Sequence, residues 1–338
     1  MEKPVKLFKL YLKQTRPLVA IVAIIFMTIG AAKHGEIHYF RRAFLAATLA
    51  ILSSYALAAS LNDIQDHEID AVNLAHDRSR PLVTGMAHKS DLYWVASIAS
   101  TVSVLLGFSV NMLAGAAMLA IVCLDTAYSV KPFIISRRTY VAPLMLPLVY
   151  VVFPYILGVA VEGSHVSLSD LLFIAGCYLL FLGRIILKDF RDRAGDRKFG
   201  KLTFLLRHGK VSVLISSAGA ITLGGLATLV TLRAPAAITA ILVTFLLAVL
   251  WALYRISRAR DLFNELVGIG LLAKAGNAYL LSMLSLLILR SSDSNISQVY
   301  TAVVLIGVLL GANIILYLKY PKLARLDAPT PPKLLRAH

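Results

Sequence analysis

Residues 61–70 read LNDIQDHEID and residues 187–196 read LKDFRDRAGD, and each closes a long apolar stretch. Asp63, Asp66 and Asp70 in the first, and Asp189, Asp192 and Asp196 in the second, repeat one spacing 126 positions apart. An i, i+3, i+7 spacing places all three carboxylates on one helix face, within about 60° around the axis. The chain has only 18 acidic residues, so two such rows take a third of them. Carboxylates held this close repel one another unless a counter-charge is supplied. Mg²⁺ suits that need, because it takes oxygen ligands and shares its shell with substrate phosphates.

The sequence around the rows is that of a membrane protein. Hydrophobic residues make up 58% of the 338 positions and the mean hydropathy is +0.76, well above a soluble domain's usual apolar content. Ten stretches reach the roughly 20 apolar residues that a spanning helix needs. They fall near 17–33, 43–61, 92–109, 112–129, 141–161, 168–187, 211–232, 235–254, 266–289 and 298–318. The net charge of +16 is not that of a nucleic-acid binder, because it is segregated by loop. With the N-terminus placed inside, 28 of the 34 Lys and Arg fall on one side and five on the other, with Lys274 within a span. The basic side of such a protein faces the cytoplasm, so both aspartate loops and both termini are expected there.

The sequence divides into an amphipathic segment over 1–16, a transmembrane domain over 17–320 with motif loops at 62–90 and 188–210, and a polar, Pro-rich tail over 321–338 that is expected to be disordered. The Lys residues of KPVKLFKLYLKQTR, 3–16, interleave with Leu and Phe as in an interfacial helix rather than a signal peptide. The motifs follow the second and sixth spans, which suggests two four-helix halves in parallel orientation. Cys123 and Cys177 both lie in spans and imply packing, not a disulfide framework.

In full, the first motif reads Asn62-Asp63-x-x-Asp66-x-x-x-Asp70, followed by Asp77-Arg78-x-Arg80-Pro81-Leu82-x-x-Gly85; the second follows Lys188 directly. This pairing resembles the UbiA superfamily of intramembrane prenyltransferases, over most of the chain from Arg16-Pro17 onward. The resemblance implies an all-α, polytopic bundle of nine or ten transmembrane helices around a central cavity, capped by the motif loops. It also implies that the six aspartates hold Mg²⁺, which binds the diphosphate of a polyprenyl donor. Asn62 belongs to the family's first motif; by itself it could equally cap a helix.

Other residues carry a functional and a plainer reading side by side. Arg78 and Arg80 are within reach of a phosphate, or simply orient their loop. Arg184 and Lys188, with Arg191, Arg197, Lys198 and Lys201, supply cations next to the second row. Asp125, Tyr128 and Lys131 form a polar string at the end of the fourth span. The family carries a Tyr followed at longer spacing by a basic residue, so Arg137 or Arg138 could replace Lys131, and interfacial anchoring accounts for Tyr128 and Lys131 equally well. Glu68 lies off the aspartate face and is expected in solvent. Lys274, with Asn277 three residues on, is expected to face the cavity or to pair with a buried carboxylate.

The chemistry expected is Mg²⁺-dependent transfer of a polyprenyl group from its diphosphate to an aromatic acceptor, as in isoprenoid quinone biosynthesis. Neutralising the diphosphate lets the allylic C–O bond ionise, and the apolar helices keep water from the cation. Two alternatives stand beside it: phosphoribosyl transfer to a polyprenyl phosphate within the same family, and ion-coupled transport. The cytoplasmic position of the carboxylates speaks against transport, which places them at the bilayer midplane in inverted repeats. A phosphatidyltransferase is unsupported, since its D-G-x-x-A-R element has no match.

Overall fold

Apolar runs of this length can satisfy their backbone groups in lipid only by closing hydrogen bonds within the segment, as helices. A computed structural model of the chain describes residues 2–35, 41–73, 80–291 and 296–319, and its elements are α-helices joined by short turns. They are α1 (Glu2–Gln14), α2 (Pro17–His34), α3 (Arg42–Gln65), α4 (His67–Asn73), α5 (Lys89–Val110), α6 (Met112–Ser129), α7 (Val141–Pro147), α8 (Phe153–Val161), α9 (Leu168–Ile185), α10 (Asp189–Lys198), α11 (Phe204–Leu232), α12 (Ala236–Arg258), α13 (Leu262–Ser291) and α14 (Ile296–Lys319). Among the described residues nine helical segments are long and apolar enough to cross a membrane. The tenth expected span falls on α14, and the expected Pro-rich tail lies outside the described residues.

The helices pack as the sequence repeat suggests. The most extensive interfaces are α3 with α5 in the first half and α9 with α11 in the second, which occupy equivalent positions. α13 then closes the bundle between α12 and α2. Small residues let backbones meet where the halves join. A Cβ on Gly158 of α8 would stand 1.9 Å from the Met27 carbonyl oxygen of α2, and one on Gly30 would stand 2.2 Å from that of Tyr155. The fifth span is interrupted: α7 and α8 are joined by a wide turn at Leu148–Val152 between Pro147 and Pro154. Proline removes a helical donor, and a wider turn accommodates the loss.

α1 lies against the bundle with Leu10 buried beside Ala87, Leu92 and Val95, and Lys6 bonds Asp91 at 2.8 Å. Its other face exposes Val5, Phe8 and Leu12. Of the two free cysteines Cys177 is buried, but Cys123 is exposed on α6 rather than packed, because its side chain falls on the outward face of that helix.

Candidate functional site

The ends of α3 and α9 that lead into the motifs, with the end of α6, leave a cavity of about 690 Å³ between them, lined further by α2, α4, α7 and α10. Its rim carries the carboxylates of Asp66, Asp70, Asp189, Asp192 and Asp196. Its depth is apolar and aromatic, with Tyr55, Ala58, Leu146, Tyr150 and Ile185 on the wall. Tyr55 stands ten residues before the end of α3, about 15 Å down the helix axis from the rim.

The first row is not on one continuous helix. α3 ends at Gln65, Asp66 leaves helical geometry at φ −100°, ψ 16°, and α4 begins at His67. Backbone bonds from the Asp66 N–H to the Asn62 carbonyl (2.8 Å) and from the Asp70 N–H to the Asp66 carbonyl (2.7 Å) carry the chain across the break. The three carboxylates therefore part company. Asp63, 2% exposed, turns away from the cavity. It accepts from Arg16 at 2.7 and 2.8 Å, from Gln14 at 3.0 Å, and from Arg80. Arg80 also reaches Asp70 at 3.1 Å. Asp66 accepts from Asn62 at 3.1 Å and Lys201 at 3.0 Å through one oxygen, while its other oxygen is buried without a hydrogen-bond partner.

The second row stays together. A tight turn at Ile186–Lys188 redirects the chain out of α9, and Asp189, Asp192 and Asp196 then ride on α10 with all three on the cavity. α10 is held from two sides. From α4, the Asn73 side chain donates to the Asp192 carbonyl at 2.9 Å and accepts from the Gly195 N–H at 2.7 Å. From α13, buried Glu265 accepts from Arg193 at 2.8 Å and pairs with Lys210 at 2.9 Å. Asn73 and Glu265 were not evident in the sequence; the only cue to Asn73 is its place three residues after Asp70, on the turn that follows.

The remaining expected residues divide. Asn62, Arg80, Tyr128 and Lys188 line the cavity, with the Lys188 ammonium donating to the Tyr128 hydroxyl at 3.0 Å. Arg78 lies outside the described residues. Lys131 is exposed and off the cavity wall, while Arg138, at the longer spacing from the tyrosine, lines it. Arg184 does not stand beside the second row: its guanidinium donates to Asn277 at 2.7 Å and borders a separate small apolar cavity, because the turn after α9 rotates the aspartates away from it. Lys274 lies over the Tyr317 ring at 5.0 Å, between α13 and α14 and off both cavities, rather than on a carboxylate. Glu68 is exposed.

Among the described residues no three Asp, Glu, His or Cys side chains converge closely enough to hold an ion by themselves. Mg²⁺ does not require that, since one or two carboxylates with substrate phosphates and water are its usual shell. The rim fits such a shared shell. Asp66 offers a buried, unpartnered oxygen. Burial pushes the Asp70 carboxyl up to about 7 against the pull of Arg80, and Asp63, Asp66 and Asp192 add to the rise. Lys201 shows the same surplus of negative charge: burial lowers its pKa, yet Asp66 and Asp196 outweigh that and hold it above the usual lysine value. A bound cation would relieve this surplus.

Comparison with known proteins agrees with this architecture. The profile of the UbiA prenyltransferase family matches residues 19–265. A digeranylgeranylglyceryl phosphate synthase from Methanothermobacter thermautotrophicus is 27% identical over 199 residues, 59% of this chain and 66% of that protein. Among solved structures, a digeranylgeranylglyceryl phosphate synthase superposes with a TM-score of 0.65 at 20% identity, covering 85% of this chain and 99% of that one. A UbiA homologue from Archaeoglobus fulgidus bound to DMAPP and Mg²⁺ superposes with a TM-score of 0.57 at 16% identity, covering 90% and 97%.

Proposed function

The chain belongs to the UbiA prenyltransferase family, and from that premise we propose that it transfers a polyprenyl group from a prenyl diphosphate to an acceptor with an aromatic ring, such as a quinone precursor, with Mg²⁺ as cofactor. One observation carries the reading: carboxylates from both motifs rim a single cavity whose inner wall is apolar and aromatic. Such a cavity takes a molecule with a charged head at the rim and a hydrocarbon body below.

Asp66, Asp70, Asp189, Asp192 and Asp196 would hold the cation. The chemistry that Mg²⁺ supplies when bound is neutralisation of the diphosphate as its charge grows. Lys201, Lys188, Arg80 and Arg138 add fixed positive charge around the same head group, a preorganised field that costs no rearrangement during the reaction. Asn62 orients Asp66. Asp63 has the different task of fixing Arg16 and Arg80 at the rim. Below, Leu146, Ile185 and the tyrosine rings keep water from the allylic cation until the acceptor attacks it. Tyr150, stacked on Phe181 at 5.1 Å and edge-on to Tyr55 at 6.1 Å, offers a flat wall for a ring acceptor. The motif end of the bundle faces the cytoplasm, as the distribution of Lys and Arg supports.

A lipid alcohol is the second acceptor class, favoured by the archaeal relative's name. The test is to supply proteoliposomes with a labelled prenyl diphosphate, Mg²⁺ and a mixture of phenolic and glycerolipid acceptors, then identify products by mass spectrometry. A prenylated phenol is expected. A prenylated glycerolipid would select the second class, and no product with any acceptor would count against the transferase reading.

A further inference from the structure

Asp125 is the one cavity-lining carboxylate, among the described residues, that belongs to neither motif. It sits one turn from the end of α6, is 8% exposed, and points into the cavity below the rim. Among the described residues no Lys, Arg or His stands within ion-pair distance of it. The cations nearest the rim are engaged elsewhere: Arg16 on Asp63, Arg80 on Asp63 and Asp70, Lys188 on Tyr128, Arg191 on Asp192 and Lys201 on Asp66. Its electrostatic neighbours are instead Tyr55 and Tyr150, whose hydroxyls bond to each other at 3.1 Å. An ionisable group at membrane depth is costly and is retained where it serves a cavity. A carboxylate with no counter-charge repels an anionic ligand but accepts a hydrogen bond and then a proton from a neutral one.

We propose that Asp125 accepts the proton that the acceptor must lose, and that the acceptor presents an uncharged hydroxyl-bearing head there. The proposal rests on the transferase reading. In that reaction the C–O bond of the prenyl diphosphate breaks, and its electron pair leaves on the diphosphate. An electron pair of the acceptor forms the new bond to the allylic carbon. One acceptor proton passes to a carboxylate oxygen of Asp125 and from there to solvent, which restores the base. Tyr55 and Tyr150 border the path of the acceptor, and Asp125 stands on α6, which carries neither aspartate row, so donor and acceptor are recognised by separate groups.

The experiment compares wild type, Asp125→Asn and Asp125→Glu in the same proteoliposomes. Two quantities are read: Mg²⁺-dependent binding of an unreactive prenyl thiolodiphosphate, and the rate of transfer to a phenolic acceptor. Asp125→Asn is expected to bind the analogue as wild type does while transfer falls by about 10²-fold or more, the usual worth of a positioned base. Asp125→Glu, which keeps the carboxylate, is expected to recover part of the rate. Transfer by Asp125→Asn within about twofold of wild type would overturn the proposal, and so would a parallel loss of analogue binding, which would make Asp125 a structural residue. A wild-type protein that binds no prenyl thiolodiphosphate would bring down the transferase reading instead.

Discussion

The two aspartate rows have the same spacing in the sequence and different fates in the fold. α10 carries Asp189, Asp192 and Asp196 on one continuous helix, and all three border the cavity. In the first row the helix breaks at Asp66, and Asp63 is left behind on α3, buried under two guanidinium groups and an amide. Carboxylates at matching positions can thus serve different ends, according to the cations the neighbouring chain brings to them. Arg16, in a left-handed turn between α1 and α2, and Arg80, after the first motif, are the residues that claim Asp63. Among the described residues no carboxylate of the second row is held by two guanidinium groups in this way: Asp192 pairs with its neighbour Arg191 at 2.9 Å, and Lys201 reaches across to Asp66 at 3.0 Å while standing 3.8 Å from Asp196.

This contrast is sharpest at Asp63. Asp63→Ala takes the shared carboxylate from two mostly buried guanidinium groups, of which Arg80 keeps Asp70, and breaking a buried pair from one side costs about 3–5 kcal/mol. A clear fall in the thermal midpoint in detergent is expected. An unchanged midpoint with weakened Mg²⁺ dependence would place Asp63 among the metal ligands after all. Asp192→Asn is expected to do the reverse, lowering transfer by about 10²-fold, or about 2.7 kcal/mol in the barrier, with little change in the midpoint.

The geometry between rows should matter less than the carboxylates but measurably. Asn73→Ala removes the two part-buried bonds that tie α4 to α10, at about 0.5–1.5 kcal/mol each. A drop of about tenfold in transfer at limiting Mg²⁺, partly recovered at high Mg²⁺, is expected from steady-state rates. Recovery that never occurs would mean that Asn73 supports the fold and not the spacing of the rows. Glu68→Gln completes the series. Exposed and off the cavity, it is expected to leave the rate within about twofold of wild type, and a larger loss would bring a sixth carboxylate into the cation's surroundings.

Much of this was legible in the sequence, because the signals were those that hydropathy and spacing carry well. Apolar length gave the spans, the charge asymmetry gave a basic end, and the repeated aspartate spacing marked the two helices that meet at the cavity. Local spacing could not foresee the break at Asp66, since i, i+3, i+7 describes a continuous helix and the break depends on how α4 docks on α10 through Asn73. Arg184 and Lys131 were expected near substrate on proximity in sequence. The tight turn at Ile186–Lys188 and the path of the chain after α6 decide instead, and they bring Lys188 and Arg138 to the wall. Lys274 found an aromatic face on α14, a partner 43 residues away that no periodicity indicates.

The central claim is that both rows share one cation together with a diphosphate. Mn²⁺ in place of Mg²⁺ makes this visible by electron paramagnetic resonance, titrated into the protein with and without a prenyl thiolodiphosphate. Tight Mn²⁺ binding that requires the thiolodiphosphate, and that is lost in Asp66→Asn and in Asp192→Asn alike, is the expected result. Binding that survives both substitutions, or that ignores the thiolodiphosphate, would contradict it.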